Sequence, residues 1–135
     1  MEGEVTGNPS IEASVAETYR LTAWIPGHVP SVANLREHWA KRAKRAKAQR
    51  ASAHYAFADQ YRMGLPDWHK ARVTLCRYSP RPLDSDNLVS CAKNFRDGVA
   101  DRLGIKDNDP RVTWLYEAKK HKDKGLFIEI ALEGR

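Results

Sequence analysis

The sequence predicts an α+β domain in which two helices pack on one mixed sheet. Its 135 residues suffice for one hydrophobic core and leave little for a second. Stretches with alternating apolar residues are interleaved with Gly- and Pro-free stretches that favour helix, which gives the order β-α-β-α-β-β. We place the domain at residues 17–135 and expect residues 1–16, which are polar and unpatterned, to be a flexible lead-in.

The first half of the domain is predicted to form a strand and a helix. The strand covers Tyr19–Ile25 and is ended by the Pro and Gly residues that follow it. The helix is predicted from Leu35 to about Tyr61, with a bend or an end near Arg50, because Ala, Lys and Arg dominate this stretch. Apolar residues at helical spacing would face the core: Trp39, Ala43, Ala46, Ala53 and Phe57. The chain's four tryptophans are also expected in the core: Trp24, Trp39, Trp68 and Trp114.

The second half is predicted to contain a strand, a helix and a β-hairpin. The strand covers Ala71–Tyr78, and the helix runs from Asp86 to Leu103 with Gly104 as its stop signal. The apolar stripe of this helix consists of Leu88, Ala92, Phe95, Val99 and Leu103. Val112–Ala118 and Leu126–Leu132 alternate in hydrophobicity and are separated by a turn, so we expect them to pair with each other.

The positive charge of the chain is concentrated in one segment. The formal net charge is +6, and the window from Arg36 to Arg50 holds seven basic residues against one acid, which accounts for the whole excess. Such a stripe suits a polyanion, although a solvated helix face has the same composition. The candidate DNA-binding residues of this window are Arg36, Lys41, Arg42, Lys44, Arg45, Lys47 and Arg50.

Other features favour a cytoplasmic protein without a membrane anchor. Met1–Glu17 carries four glutamates and no Lys or Arg, unlike a secretory signal. No window approaches the roughly 20 apolar residues that span a bilayer. Cys76 and Cys91 lack metal-ligand spacing and are expected to be buried, reduced thiols. No Gly-rich phosphate loop is present, so we expect no nucleotide cofactor.

Two pairs of aspartates are the strongest candidates for chemistry. Asp84 and Asp86 lie between a strand end and a helix start, and residues two apart in extended backbone point to the same side. Asp107 and Asp109 repeat this spacing after the helix, which we expect to return them close enough to complete one site. Carboxylate oxygens and water are the ligands that Mg²⁺ prefers, with Mn²⁺ able to substitute. Bound magnesium could activate a water molecule against a phosphodiester.

Each of these residues also has an ordinary structural interpretation. Asp86 can be a helix N-cap and Asp84 a turn residue, and 107–110 can be a simple turn. Lys93 lies seven residues beyond Asp86, about 10 Å along the helix axis, from where it could reach a phosphate. It can equally be the i, i+4 partner of Asp97.

Several segments resemble the RusA family of Holliday junction resolvases. They are Asp84-Ser85-Asp86-Asn87-Leu88, Lys93, Asp97-Gly98 and Asp107-Asn108-Asp109, together with Pro30-Ser31-Val32-Ala33-Asn34 followed by Arg36-Glu37-His38-Trp39. The resemblance runs from about Tyr19 to Leu132 and is closest to phage-borne or prophage members, which share the continuation from Asp97 to Ile105.

The resemblance implies a homodimer that binds four-way DNA junctions and nicks two opposed strands with magnesium. Asp84 and Asp86 match two metal-binding aspartates, and the third would be Asp107 or Asp109. The family's catalytic lysine stands where this chain has Ser90, and Lys93 follows three residues later. We add Asn34 and Arg81 to the expected DNA contacts.

Two other functions fit the same residues. The chain could be a non-catalytic branched-DNA or RNA binding module of the same fold, since the lysine is shifted and the downstream aspartates are separated by Asn108. It could also be an interaction protein whose basic helix is incidental, in which case nucleic-acid binding would be weak and insensitive to salt.

Overall fold

The computed structural model describes residues 17–31, 36 and 38–134. These residues form four strands and two helices in the predicted order β-α-β-α-β-β. The elements are β1 (Thr18–Pro26), α1 (Trp39–Tyr55), β2 (Lys70–Ser79), α2 (Ser85–Leu103), β3 (Val112–Lys120) and β4 (Gly125–Glu133). The expected lead-in, residues 1–16, lies outside the described residues.

The strands form one mixed sheet with the order β1-β4-β2-β3. β4 pairs antiparallel with both β1 and β2, whereas β2 and β3 are parallel. The predicted hairpin is therefore wrong, because β2 lies between β3 and β4. Two constraints that act over long sequence distances explain the difference. The crossover through α2 places β3 parallel beside β2, and β4, whose core-facing side chains Leu126, Ile128, Ile130 and Leu132 are all buried, fills the central position.

Both helices lie on one face of the sheet and run in the same direction. Gln49 contacts Asn94, Arg50 contacts Asp101, and Arg102 donates to the carbonyl of Gln60, so the two helices descend side by side. The N-termini of the helices consequently lie at the same edge of the sheet as residues 27–31, 80–84 and 121–124, which we call the upper end. Residues 56–69 and 104–111 form the lower end.

α2 agrees closely with its prediction. All five residues of its apolar stripe are buried in the core: Leu88, Ala92, Phe95, Val99 and Leu103. Gly104 ends the helix in the left-handed conformation with φ 70°, where an L side chain would be strained. The helix begins at Ser85, one residue before the predicted start.

α1 differs from its prediction because only its C-terminal half packs against the core. It is shorter than the predicted helix and ends at Tyr55, and Ala53 is its buried residue. Phe57 is fully buried but follows the helix, whereas Ala43 is exposed and Trp39 is 73% exposed. The prediction that Trp39 and Ala43 face the core is therefore wrong. The N-terminal half of α1 is mostly cationic, and such side chains stay in water.

The four tryptophans expected in the core are placed differently from one another: Trp68 and Trp114 pack against the core, whereas Trp24 and Trp39 are exposed. Trp24 is 43% exposed on the face of the sheet that carries no helix. Trp68 and Trp114 are half-buried and lie under the guanidinium groups of Arg111 and Arg96. The core consists mainly of aliphatic residues from the sheet and α2.

The predictions about the two cysteines and about membrane spans can be compared with the described residues. Cys76 and Cys91 are free and buried, as expected. Neither of the two described helices is long and apolar enough to cross a membrane.

Candidate nucleic-acid interface and metal ligands

The first aspartate pair lies at the N-terminus of α2. Asp84 is the N-cap, and its Oδ1 accepts a hydrogen bond from the backbone N–H of Asn87 at 3.0 Å. Asp86 is exposed in the first turn, so the cap is Asp84 rather than Asp86. Both carboxylates are favoured here by the positive end of the helix dipole. Among the described residues, no hydrogen bond or ion pair engages the carboxylate of Asp86, which leaves it accessible to a ligand.

The position of the helix start changes why these two aspartates lie together. The sequence predicts extended backbone from Asp84 to Asp86, but α2 already begins at Ser85. Successive side chains therefore do not alternate across this segment. Asp84 and Asp86 both lie at the exposed N-terminus of α2, Asp84 as its N-cap and Asp86 in its first turn.

A second group of cations lies at the same end of the sheet as this pair, and of its members the sequence predicted only Arg81 as a DNA contact. Lys119 and Lys120 end β3, Lys122 and Lys124 lie in the turn before β4, and Arg81 follows β2, so the topology gathers them at the upper end. The spacing Lys119-Lys120-x-Lys122-x-Lys124 is visible in the sequence, but it was interpreted only as a turn. It predicts an interface only once the sheet order shows which loops are neighbours.

A buried arginine joins the loops of the upper end. Arg77 is only 4% exposed, and its guanidinium donates to the carbonyls of Val29 at 2.9 Å and Arg81 at 3.2 Å. It lines a cavity of about 440 Å³ together with His28, Arg81 and Lys124. Burial lowers the pKa of His28, and the charges of Lys124 and Arg77 lower it further. The local potential is therefore positive, which suits an anionic ligand.

The second aspartate pair lies at the lower end, where Asp109 is engaged within the chain. Its Oδ1 accepts from the backbone N–H and Nε of Arg111, at 2.9 and 3.1 Å, and its Oδ2 accepts from the guanidinium of the same residue at 3.0 Å. These contacts hold the pKa of Asp109 below its usual range. Arg111 also stacks on Trp68, with its Cζ 4.3 Å from the ring centroid. Both carboxylate oxygens of Asp109, just before β3, are therefore engaged by Arg111.

Asp107 is the more open member of the second pair. Its backbone carbonyl accepts from Arg96 at 2.7 Å and from the indole N–H of Trp114 at 3.2 Å. Its carboxylate is 3.9 Å from Nε of Arg96, and 46% of its side chain is exposed. It lines a cavity with Asp97 and Asp101 on the side of α2. Between the two alternatives from the sequence, Asp107 has the carboxylate that is available to a ligand.

One chain does not bring the two aspartate pairs together. Asp107 lies beside the segment of α2 from Arg96 to Asp101, and Asp86 precedes Asp97 by eleven residues, or about 16 Å along the axis. The expectation that α2 returns the second pair to the first is wrong within one chain, because the crossover from β2 to the parallel strand β3 carries the chain to the opposite edge. Within the described part of the chain, no group of three or more His, Cys, Asp or Glu side chains could hold a metal ion.

Lys93 lies between the two pairs and contacts an aspartate of its own helix. Its Nζ is 3.5 Å from Oδ2 of Asp97, one turn further on, and 67% of its side chain is exposed. This is the structural alternative that the sequence offered. A role for Lys93 at a phosphate stays a prediction.

The basic residues of the Arg36–Arg50 window are placed differently from one another. Arg36, Lys41, Arg42, Lys44 and Lys47 are exposed, and Arg45 is half-buried. Arg50 makes a two-pronged ion pair with Asp101, with distances of 2.6 and 2.8 Å, so its guanidinium is committed to α2. Asn34 lies outside the described residues.

Comparison with known proteins does not assign a family. No family model matches the chain. A search of curated proteins finds an uncharacterized protein of Xylella fastidiosa (strain Temecula1 / ATCC 700964) that is 35% identical over 78 residues. The match covers 55% of this chain and 51% of that protein, so the chain spans about half the length of the curated relative it matches.

Proposed function

We propose that this chain is a RusA-like, magnesium-dependent endonuclease of phage or prophage type that cuts branched DNA in the cytoplasm. One observation carries the proposal: the exposed pair Asp84 and Asp86 stands at a helix N-terminus, at an end of the molecule where cationic side chains outnumber acidic ones. A carboxylate pair would repel DNA phosphates by itself. Its position among cationic side chains is explained if a divalent cation lies between the carboxylates and a DNA phosphate.

Asp84 and Asp86 fit a magnesium ion whose coordination shell is completed by water and the substrate. Mg²⁺ in nucleic-acid enzymes is commonly held by one or two carboxylates, with water and phosphate oxygens as the other ligands. Asp84 and Asp86 would hold it, and it would supply an activated water and charge stabilisation at the scissile phosphate. The RusA resemblance also implies a homodimer.

The remaining residues of the upper end would position the DNA. Arg81, Lys122 and Lys124 provide positive charge on the loops next to α2, and the exposed cations of α1 extend the same field. Each phosphate that such a residue neutralises releases a counterion, so we expect affinity to fall steeply with salt.

The test is the variant Asp86→Asn with a synthetic four-way junction, with and without magnesium. We expect cleavage to fall by on the order of a hundredfold or more, since one metal ligand is lost. Binding without metal should be retained or tightened, because a negative charge near phosphate is removed. The matched control is Asp59→Asn, which changes an exposed aspartate at the lower end. Cleavage by Asp86→Asn at the wild-type rate would show that the metal assignment is wrong.

A non-catalytic branched-DNA or RNA binding module is the second candidate. It is favoured by the intrachain contacts of Lys93 and Asp109, two residues that the resemblance assigns to chemistry. The same gel separates the two functions. Junction that is retarded but never nicked in Mg²⁺ or Mn²⁺ supports the binding module.

A further inference from the structure

A cleft lies at the upper end of the sheet, on the face that carries no helix. Its volume is about 610 Å³, and it is bounded by Trp24 and Tyr78 on one side and by the turn 121–124 on the other. Neither the aspartate pair nor the cationic stripe of α1 belongs to it. Its lining is mainly aromatic and cationic, which is an unusual combination for the outer face of a sheet.

The aromatic wall of the cleft is built by three rings in contact. Trp24 meets Tyr78 edge to face, with 5.1 Å between their centroids, and Tyr78 meets His121 at 5.5 Å. The ring of Trp24 lies against Gly125, where an added Cβ would collide with the indole. The absence of a side chain at Gly125 therefore allows the indole of Trp24 to lie directly on the sheet. Even so, 43% of Trp24 remains exposed, although an indole normally gains by burial.

Lysines surround these rings. Nζ of Lys119 lies 5.4 Å from the centroid of Tyr78, and Lys122 and Lys124 line the cleft. The acid in its lining is Asp123, whose carboxylate is 4.0 Å from Nδ1 of His121. Two lysines against one aspartate in the lining, with Lys119 beside Tyr78, leave the cleft positive. Aromatic faces beside mobile ammonium groups are complementary to a nucleobase and its phosphate.

The cleft leads toward the aspartate pair. His28 and Lys124 line both this cleft and the neighbouring cavity, whose lining also includes Arg81 and Leu83. Leu83 directly precedes Asp84. A strand that occupied the cleft could therefore continue over Lys124 and Arg81 to the N-terminus of α2.

We propose that this cleft binds an unpaired nucleotide of a DNA strand, with the base against Trp24 and the flanking phosphates near Lys122 and Lys124. The route toward Asp84 rests on the proposed function, but binding of the nucleotide does not require cleavage. The positive charge favours this ligand over a second copy of the chain, whose formal net charge is also +6.

The experiment measures the affinity of full-length protein for two fluorescent single strands of equal length, in EDTA so that no cutting occurs. One is oligothymidylate and the other is the same backbone with abasic residues. We expect the wild type to bind the thymidylate about tenfold more tightly, which is the usual scale of one stacked base. Trp24→Ala should lose this preference while it still binds the abasic strand, and Trp24→Phe should keep most of it. Tyr55→Ala, an exposed aromatic on α1, is the matched control.

A second variant provides a test that does not depend on the packing of Trp24 against Gly125. Lys122→Ala with Lys124→Ala changes exposed side chains only. It should weaken the binding of both strands and lower the slope of log affinity against log salt by about 1.4, since each phosphate contact to a single strand contributes about 0.7. An unchanged base preference in a folded Trp24→Ala protein overturns the inference. The proposed function fails separately if Asp86→Asn still cleaves junctions.

Discussion

Both ends of α2 have charged residues around them, but the side-chain contacts of these residues differ. At the lower end and along the C-terminal half of the helix, most charges are paired within the chain: Arg50 with Asp101, Lys93 with Asp97 and Arg111 with Asp109. At the upper end, no ion pair among the described residues joins Asp86, Arg81, Lys122 or Lys124 to an opposite charge. Paired charges hold the fold, and open charges remain available to a ligand.

This difference separates residues that look alike in the sequence. Asp86 and Asp109 each follow another aspartate by two positions, and both precede or begin a regular element. Only the structure shows that Arg111 occupies both carboxylate oxygens of Asp109 while the carboxylate of Asp86 stays exposed. The assignment of Asp109 as a metal ligand stays a prediction, and it would require this ion pair to open.

The largest effect on the paired region is expected from Gly98→Ala. A Cβ at this position would collide with the backbone carbonyl of Arg50 and the Cβ of Ala53, so α1 and α2 must separate. We expect the free energy of unfolding to fall by about 3 kcal/mol, at the upper end of the range for overpacking. Urea denaturation measures it.

The control for this variant is Val89→Ala, on the exposed side of α2. It should change the free energy of unfolding by only about 0.5 kcal/mol. A fully stable Gly98→Ala protein would show that the close approach of the helices is not needed to form the paired region.

A smaller effect should distinguish an open arginine from a paired one. Arg81→Ala is expected to lower the slope of log affinity for DNA against log salt by about 1, because one phosphate contact is lost. Arg50→Ala should leave this slope unchanged but lower the melting temperature, since its guanidinium is bound to Asp101. The opposite result would place the DNA on the paired side of α2. Filter binding over a range of salt and a thermal melt are sufficient.

The smallest effect concerns the acid sensitivity of the paired region. Hydrogen bonding to Arg50 lowers the pKa of Asp101, and hydrogen bonding to Arg111 lowers that of Asp109. A lowered folded-state pKa contributes stability that is present above the unfolded pKa and is lost as the pH falls through the folded pKa. Melting temperatures measured from about pH 5 to pH 2 should therefore fall less steeply for Asp101→Asn than for the wild type. Asp86→Asn is the control, and parallel curves for Asp101→Asn and the wild type would contradict the expectation.

The sequence by itself determined the order of the elements and nearly all of α2. Leu88, Ala92, Phe95, Val99 and Leu103 recur at the period of a helix, and Gly104 marks its end. Such signals are local, since a helix and a strand each have their own period along the chain. Local signals also placed Asp84 and Asp86 at a helix start, between β2 and α2.

Tertiary structure decided which of these segments are neighbours. β3 and β4 carry turn residues between them, yet β2 separates them, because strand order depends on crossover handedness and on burial of β4. The same order sends Asp107 to the lower end and gathers Lys119–Lys124 beside the N-terminus of α2. It also leaves Trp24 uncovered on the open face of the sheet. Contacts between residues far apart in the chain set these positions, and no local period along the sequence encodes them.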